Sequence, residues 1–453
     1  MKSIMFLAST RHQLTLLLIR LRAHLYWPLY RNGYALVLSS AFTSLLGMVY
    51  WVLAAHLYSA EIVGLNSAAI SAMMFLAGIA QLNLTSALIR FIPGAGASTR
   101  RLVVGAYGLS ALVALAVGLI FMGGFGAWTP IPRFIEMIPF FTPWFILATM
   151  GWCIFMLQDS VLTGLRRTIW VPVENTVFAV VKIVLLVLFA AALPHYGIFA
   201  AWTLGLLAAV LLSNLFIFRR FLPSHLSQSA ADKTPIGAGQ ISRFVAADYL
   251  GEICWLVVTM LMPVIVTQQV GAKANAYFYL AWTIAYSLYL VSPNMGASLI
   301  VEAATDQRRL KRDSYRTFVH TAYLLVPAVG LIVIGAPYIL FIFGPDYATE
   351  ATTLLRLLAL SALPNMINAM FISVARVQRR LAALVTVLAI LCGLVLILGM
   401  LLLHVVGITG VGLAWLIGQT AVAVGVWSTQ LRPLWSEIVE PTYADRPRPA
   451  QQT

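Results

Sequence analysis

The chain has 453 residues, of which 61% are hydrophobic and only 10% are charged. A soluble domain carries about 25% charged residues, so the composition excludes a soluble globular protein and indicates a chain that crosses a membrane many times. The net charge of +14 would suggest nucleic-acid binding in a soluble protein, but here the charges must first be placed relative to the bilayer.

The N-terminal segment, residues 1–31, is predicted to lie on the cytoplasmic surface of the membrane. Its region 14–30 mixes leucines with Arg20, Arg22 and His24, a composition typical of an amphipathic helix in the interface. The apolar stretch before it is short and is interrupted by Arg11, so it does not make a good cleavable signal sequence.

Twelve apolar stretches follow, each long enough for a transmembrane helix, which needs about 20 residues. They are 32–57, 62–89, 102–125, 140–164, 170–193, 197–219, 244–268, 274–302, 317–343, 350–375, 381–405 and 409–431. The chain is therefore predicted to be an all-α polytopic membrane protein.

Lys and Arg are distributed unequally between the two sides of these spans. The two ends of the chain and the loops after even-numbered spans carry 25 of the 29 basic residues, whereas the opposite loops carry only Arg133 and Lys273. Short cytoplasmic loops are enriched in basic residues, so both termini are predicted to be cytoplasmic. The basic surface then faces anionic lipid headgroups rather than nucleic acid.

Two cytoplasmic segments are predicted to lack fixed structure. Residues 221–242, between spans 6 and 7, are rich in Ser, Ala and Gly and indicate a flexible linker. Residues 433–453 end in a polar, Pro-rich stretch that is typical of a disordered tail. The linker divides the spans into an N-terminal bundle, 32–220, and a C-terminal bundle, 243–432.

The two bundles share a sequence repeat. Arg166 and Arg167 precede a Gly-x-x-x-Ala-Trp-x-x-Gly pattern that contains Trp202, and Arg379 and Arg380 precede the same pattern around Trp415. The offsets agree, because 379 minus 166 and 415 minus 202 both give 213. Six spans in each half give both bundles the same orientation, related by an axis along the membrane normal. Such repeats predict a transporter with a central cavity between the bundles.

Three basic residues within or beside spans are candidate contacts for an anionic substrate. Lys182, near the middle of span 5 and on one helix face with Asn175, points to an anion site; the alternative is a structural lysine paired with a carboxylate such as Glu174. Arg356, in the outer part of span 10, contacts phosphate or sugar or else snorkels to headgroups. Arg90 ends span 2, where the membrane interface is the alternative explanation.

Three acidic residues are candidates for coupling transport to H⁺ or Na⁺. Asp248 and Glu252 are one helical turn apart in span 7, and Asp159 lies near the cytoplasmic end of span 4. Carboxylates close together in a cavity are suited to binding a proton. The alternative is that all three are hydrated near the cytoplasmic surface.

Amide side chains within the spans are candidate sugar contacts, and hydrogen bonding between helices is the alternative role. These are Asn175, already named, and Gln81, Asn83, Asn294, Asn365 and Asn368. The sequence contains no Walker loop, metal-ligand spacing or Ser–His–Asp grouping, so it predicts no enzyme, no metal and no cofactor other than a coupling ion.

Several short segments resemble the oligosaccharide flippases of bacterial polysaccharide synthesis, the Wzx-like branch of the multidrug/oligosaccharidyl-lipid/polysaccharide exporter superfamily. The segments are Asn32-Gly33-Tyr34, Gly47-x-x-Tyr50-Trp51-x-x-Ala54-Ala55, Val63-Gly64-Leu65-x-Ser67-Ala68, Gln81-Leu82-x-Leu84 and Arg90-Phe91-x-Pro93. The resemblance covers roughly residues 30–432 and rests on helix-packing motifs.

This resemblance implies two six-helix bundles of the MATE type around a cationic cavity in the bacterial inner membrane. The implied substrate is an undecaprenyl-diphosphate-linked oligosaccharide, flipped by alternating access to the periplasmic leaflet for O-antigen, lipopolysaccharide or exopolysaccharide synthesis. Implied partners are membrane lipids, a polysaccharide polymerase and glycosyltransferases, and no nucleic acid. The motifs carry no fixed cationic positions, so no site residue follows from the resemblance.

Three alternatives remain open from the sequence. A cation-coupled multidrug antiporter of the same superfamily would use acidic and aromatic cavity residues, which Asp248 and Glu252 allow. A membrane enzyme such as a polymerase or ligase is disfavoured, because the outer loops are short and poor in charge. A scaffold for polysaccharide assembly would need no transport at all.

Overall fold

The structure is a computed structural model that describes residues 44–125, 138, 140–228, 249–303 and 310–439. In the N-terminal half the helices are α1 (Ser44–Leu57), α2 (Ala60–Ala80), α3 (Leu84–Phe91), α4 (Thr99–Ile120), α5 (Phe141–Gly164), α6 (Trp170–Ala192), α7 (Gly197–Phe216) and α8 (Leu222–Gln228). In the C-terminal half they are α9 (Tyr249–Gln269), α10 (Ala272–Tyr289), α11 (Val291–Ala303), α12 (Leu310–Phe341), α13 (Pro345–Val377), α14 (Leu381–Val406), α15 (Ile408–Val426) and α16 (Arg432–Val439).

The prediction of an all-α membrane fold is confirmed for the described part of the chain, where the regular structure is entirely helical. Ten of its helical segments are long and apolar enough to cross a membrane. Two predicted spans are each divided into two helices: span 62–89 forms α2 and α3, and span 274–302 forms α10 and α11. Within the first predicted span, the described residues form α1.

Two short helices lie in or extend into segments that were predicted to lack fixed structure. Leu222–Gln228, assigned to the linker, is helical, because Phe221 and Leu222 are buried in an apolar cluster with Tyr107. Arg432–Val439, of which residues 433–439 were assigned to the disordered tail, is also helical. The indole N–H of Trp435 donates to Ser314 Oγ at 3.0 Å, and this buried ring anchors the segment. The remainder of the linker and tail, and residues 1–31, lie outside the described residues.

The sequence repeat is also a structural repeat. Arg166 and Arg379 have left-handed backbones with φ of 59° and 57°. The next residue in each case donates its N–H back to a carbonyl five residues earlier: Arg167 to Leu162 and Arg380 to Ala375, both at 2.8 Å. This hydrogen bond is that of a Schellman cap, which ends a helix sharply. The paired arginines therefore mark the same turn in both bundles, and we call the end that carries these turns the basic end.

The second half of the repeat sets the distance between two helices. A Cβ on Gly205 would lie 2.9 Å from Cβ of Lys182, and a Cβ on Gly418 would lie 2.8 Å from Cγ2 of Val395. Glycine at these positions lets α7 approach α6, and α15 approach α14, more closely than a larger residue would allow. Lys182 and Val395 are related by the same offset of 213, so the lysine is an asymmetric substitution within a symmetric scaffold.

The bundles meet most closely at the end opposite the basic end, where α2 packs along α10. A Cβ on Gly64 would lie only 1.7 Å from the carbonyl oxygen of Ala272. Asn275 donates its side-chain N–H groups to Gly64 O at 2.8 Å and to Ser67 Oγ at 3.1 Å. We call this contact the seam; it closes the space between the bundles at that end.

Gly64→Ala is expected to open the seam and to lower the thermal unfolding temperature, because overpacking costs about 1–3 kcal/mol. The measurement is thermal unfolding of the purified protein, together with labelling by a membrane-impermeant maleimide in an Ala276→Cys background, a position beside Gly64 that leaves Asn275 in place. Gly108→Ala is the matched control, since nothing lies within 4 Å of a Cβ at that position. Equal stability and equal labelling of the two variants would contradict the role given to the seam.

Candidate functional site

A cleft of about 390 Å³ lies between the two bundles. Its walls come from α2, α3 and α5 on one side and from α9 and α10 on the other. The lining is mixed: aromatic rings and aliphatic side chains alternate with amides, hydroxyls and one carboxylate. The lining residues are Met74, Gly78, Gln81, Asn83, Thr85, Ser86, Trp152, Met156, Tyr249, Glu252, Ile253, Trp255, Leu256, Thr259, Met260 and Tyr286.

One wall of the cleft contains a break in the second predicted span. Leu82 and Asn83 have φ of 51° and 53°, a left-handed conformation that is unfavourable for residues with side chains. The break separates α2 from α3 and exposes backbone groups; the carbonyl of Ile79 accepts hydrogen bonds from the N–H of Leu82 and from the hydroxyl of Tyr249. Irregular backbone at membrane depth occurs where protein or a cavity surrounds it, so this break marks the cleft as a candidate site.

The facing wall is irregular at a similar depth. Residues Val257–Leu261 of α9 form a π-helical turn, and Thr259 and Met260 within it line the cleft. Pro263 lies two residues after this turn and has no N–H, so it cannot donate the usual helical hydrogen bond to the carbonyl of Thr259. Single π-turns are frequent at functional sites.

A second cavity of about 200 Å³ continues from the cleft into the C-terminal bundle. The two share Glu252, Trp255 and Tyr286 in their walls. At their junction Arg376 of α13 forms an ion pair and a hydrogen bond with Glu252 of α9. The side chains of Arg376 and Glu252 are 33% and 48% exposed, so the pair is accessible to a substrate.

Arg376 was missed as a site residue in the sequence, where it was grouped with the cytoplasmic loop after span 10. The structure extends α13 through Val377, which places Arg376 inside the helix. A usable signal was present, because Asn365, Ala369, Ser373 and Arg376 recur at intervals of four, four and three residues and therefore share a helix face. All four line the second cavity.

The structure brings four of the predicted site residues to these cavities. Gln81, Asn83 and Glu252 line the cleft, and Asn365 lines the second cavity. Asn294 follows Pro293, which lines the second cavity. Asp248 lies outside the described residues.

Lys182 does not line the cleft, because aromatic side chains lie between its ammonium group and the cleft. Its ammonium group is 3.8 Å from the ring centre of Trp202, 4.4 Å from that of Phe178 and 4.8 Å from that of Tyr50. Trp152 lines the cleft and packs on Trp202 at 6.0 Å between ring centres. A desolvated cation–π contact contributes about 2 kcal/mol, so three such contacts are of the same order as the several kcal/mol needed to bury the charge.

Arg356 has a structural partner outside the cavities. Its Nε–H donates to the carbonyl oxygen of Val333 on α12 at 3.0 Å. That carbonyl lacks its helical donor, because the residue four positions later is Pro337. The arginine therefore satisfies a backbone group that a proline has freed.

The other predicted residues lie away from the cleft. Arg90 is exposed at the end of α3, beside the ring of Phe91. Asn368 is buried and donates to the side-chain oxygen of Gln419 at 2.7 Å, which joins α13 to α15. Asp159 and Asn175 neighbour each other inside the N-terminal bundle.

Known structures with this architecture were found by structural comparison. An inward-facing multidrug resistance MATE family transporter of the MOP superfamily is 15% identical, with a TM-score of 0.65 over 87% of this chain and 96% of that one. The chain has the fold of these transporters. The lipid II flippase MurJ, in an inward closed conformation, is 14% identical, with a TM-score of 0.64 over 90% and 91% of the two chains.

A third similar structure is a MOP-superfamily transporter from Pyrococcus furiosus, for which a reversed polarity of the binding pocket suggests a different function. It is 14% identical, with a TM-score of 0.59 over 91% of this chain and 96% of that one. No family model matches the sequence, and no curated protein matches it. The likeness therefore shows the fold alone.

Arg356→Ala is expected to destabilise the protein by about 1–3 kcal/mol, because it leaves the Val333 carbonyl without a donor. In a Pro337→Ala background the loss should be much smaller, since residue 337 then supplies the missing N–H. Thermal unfolding of the four variants in this cycle gives the coupling between the two positions. Pro327→Ala is the control background, and the account fails if it relieves the Arg356→Ala loss as well as Pro337→Ala does.

Lys182→Met is expected to leave stability unchanged or to raise it, because a well-packed apolar side chain in place of a buried charge is often neutral or stabilising. Lys182→Ala should instead lower stability by about 2–5 kcal/mol, through the cavity that it leaves among the rings. Unfolding in a denaturant series compares the two. Equal losses for Met and Ala would show that the charge itself organises the ring cluster.

Proposed function

We propose that the chain is a flippase that moves an undecaprenyl-diphosphate-linked oligosaccharide across the bacterial inner membrane, for the synthesis of a cell-surface polysaccharide. The observation that carries this proposal is the placement of a polar cleft and an apolar groove on two sides of the same helix pair, α2 and α9. A substrate with a polar head and a long apolar tail needs both surfaces, whereas a compact drug needs only the cleft.

The apolar groove has a volume of about 440 Å³. Its walls come from α2, α4, α9 and α14, and its lining residues are Phe75, Leu76, Ile79, Val117, Ile120, Phe121, Leu261, Val264, Ile265, Gln268, Gln269 and Met400. Between groove and cleft, α2 and α9 touch at Gly78, where an added Cβ would lie 2.5 Å from a Leu256 methyl group. The head of a lipid substrate would occupy the cleft while its tail lies along the groove.

The charges at the cleft suit a diphosphate through exchange of partners. In the structure Arg376 is paired with Glu252. A diphosphate would replace the carboxylate, because an arginine guanidinium binds phosphate oxygens in a bidentate manner. Glu252 would then be released from its ion pair with Arg376. The released carboxylate is the candidate for coupling substrate binding to the movement of a cation.

Sugar rings would be bound by the aromatic and amide side chains of the cleft. Trp152 and Trp255 present large flat surfaces from the two bundles, while Gln81 and Asn83 supply donors and acceptors beside the break between α2 and α3. Contacts from both bundles would change when one bundle rocks against the other, as alternating access requires. The closed seam and the cleft at the basic end correspond to a state open to the cytoplasm, given the predicted orientation.

A cation-coupled multidrug antiporter is the second candidate. The rings of Trp152, Trp255 and Tyr286 around the carboxylate of Glu252 would also suit an apolar organic cation. This candidate gives the apolar groove no role, and in it Arg376 would oppose binding. The two candidates therefore predict opposite effects of removing Arg376.

The test uses liposomes that contain the purified protein and a fluorescent undecaprenyl-diphosphate oligosaccharide. Exposure of the label to a membrane-impermeant quencher reports flipping. Arg376→Ala is expected to reduce the rate by about 10-fold or more, because a charge-assisted hydrogen bond pair contributes about 1.5–3 kcal/mol. Arg380→Ala, which removes an exposed arginine from the turn four residues away, should flip at the wild-type rate.

Absence of protein-dependent flipping would overturn the proposal. Faster export of a cationic dye by Arg376→Ala, without flipping by any variant, would favour the antiporter. Lys182→Met is tested in the same assay. If this variant loses flipping but keeps normal stability, Lys182 contacts the substrate even though it lies behind the rings.

A further inference from the structure

Two carboxyl groups with buried oxygen atoms, those of Asp159 and Glu174, lie near each other inside the N-terminal bundle, away from the cleft. Asp159 lies five residues before the end of α5, and Glu174 lies four residues after the start of α6. The α5–α6 turn lies at the basic end, so both residues have a similar depth. They are close enough to interact electrostatically, although neither lines the cleft, the second cavity or the groove.

The cluster around these carboxyl groups is poor in hydrogen bonds. Glu174 is only 3% exposed, and neither of its carboxyl oxygens has a hydrogen-bond partner. Asp159 Oδ1 is likewise buried without a partner. The hydroxyl of Tyr107, on α4, lies within electrostatic range of both carboxyl groups; its side chain is 8% exposed and its hydroxyl is also unpartnered. Unpartnered polar atoms from three helices therefore lie in the same region of the bundle.

No cation balances this cluster within the described part of the chain. Ser213 of α7 approaches Glu174 and Asn175 of α6 approaches Asp159, and both are neutral. Lys182 lies eight residues beyond Glu174 on the same helix, about 12 Å along the axis, with its ammonium among the rings described above. Two ionised carboxylates side by side at such a site would cost several kcal/mol each in lost hydration, in addition to their mutual repulsion.

We propose that Asp159 and Glu174 form a proton-binding site that holds a single proton between the two carboxyl groups. The step is a reversible ionisation in which one carboxylate oxygen accepts a proton from water, and the proton returns to water when the site is hydrated. A proton needs no volume, whereas a sodium ion would need a coordination cavity. The carboxyl groups lie outside the three cavities described above, which favours the proton.

The site is placed to communicate with the cleft. Asp159 is one helical turn from Met156 on α5, and Met156 lines the cleft. Glu174 shares α6 with Lys182, whose backbone touches α7 at Gly205. Gain or loss of the proton would change the packing of α5 against α6 beside the substrate. The proton site itself does not depend on the identity of the substrate, whereas its coupling to flipping rests on the proposed function.

The test is infrared difference spectroscopy of the full chain in lipid vesicles, recorded between neutral and alkaline buffer. The wild type is expected to show the C=O stretch of a protonated carboxyl group at neutral pH. Glu174→Gln or Asp159→Asn should abolish it, and Tyr107→Phe should shift it. Glu350→Gln is the matched control, because it removes an exposed carboxylate and should leave the band unchanged.

Absence of the band in the wild type, or its survival in both Glu174→Gln and Asp159→Asn, would overturn the proposal. A sodium-dependent spectral change without a protonated carboxyl band would assign the site to sodium and also overturn it. Tyr107→Phe reports on the cluster even if a carboxyl variant fails to fold. Since no substrate is present, these outcomes are independent of the flipping assay.

Discussion

A backbone that leaves helical geometry inside a bilayer must find its hydrogen-bond partners within the protein, because lipid supplies none. In this structure two such departures lie at the cleft between the bundles. The left-handed pair Leu82 and Asn83 and the π-turn Val257–Leu261 face each other across the cleft. A third freed carbonyl, at Val333, is satisfied by Arg356 on the periphery.

The two bundles repeat the same helix arrangement, and the proposed functional groups lie where the two repeats differ. The turns at Arg166 and Arg379 have the same backbone and the same hydrogen bonds, and glycines bring the following helices together at equivalent places. The N-terminal bundle carries Lys182 where the other bundle carries Val395, and it alone holds the pair Asp159 and Glu174. The accessible ion pair, Glu252 with Arg376, belongs to the C-terminal bundle. The proposed proton site and the proposed anion site are therefore in different bundles.

Apolar periodicity and the offset of 213 residues predicted the helices and their duplication, since both depend on local sequence. The positions of polar groups around each helix depend on packing, which local sequence does not specify. Lys182 and Arg356 stand out in the sequence as charges within apolar stretches, but most of their partners come from other helices: the rings of Tyr50 and Trp202 for Lys182, and the proline-freed carbonyl of Val333 for Arg356. Arg376 was overlooked because its helix extends further than the apolar stretch indicates. Glu174 was considered only as a partner for Lys182, two turns away.

The central claim is that the bundles separate at the seam during transport. Spin labels at Leu57 and Val270, which are 40% and 43% exposed near that end of the molecule, would report the distance between the bundles by pulsed electron paramagnetic resonance. The account predicts one short distance without substrate, and a second, longer distance in the presence of the lipid-linked oligosaccharide. A single unchanged distance under conditions in which the oligosaccharide crosses the membrane would contradict it.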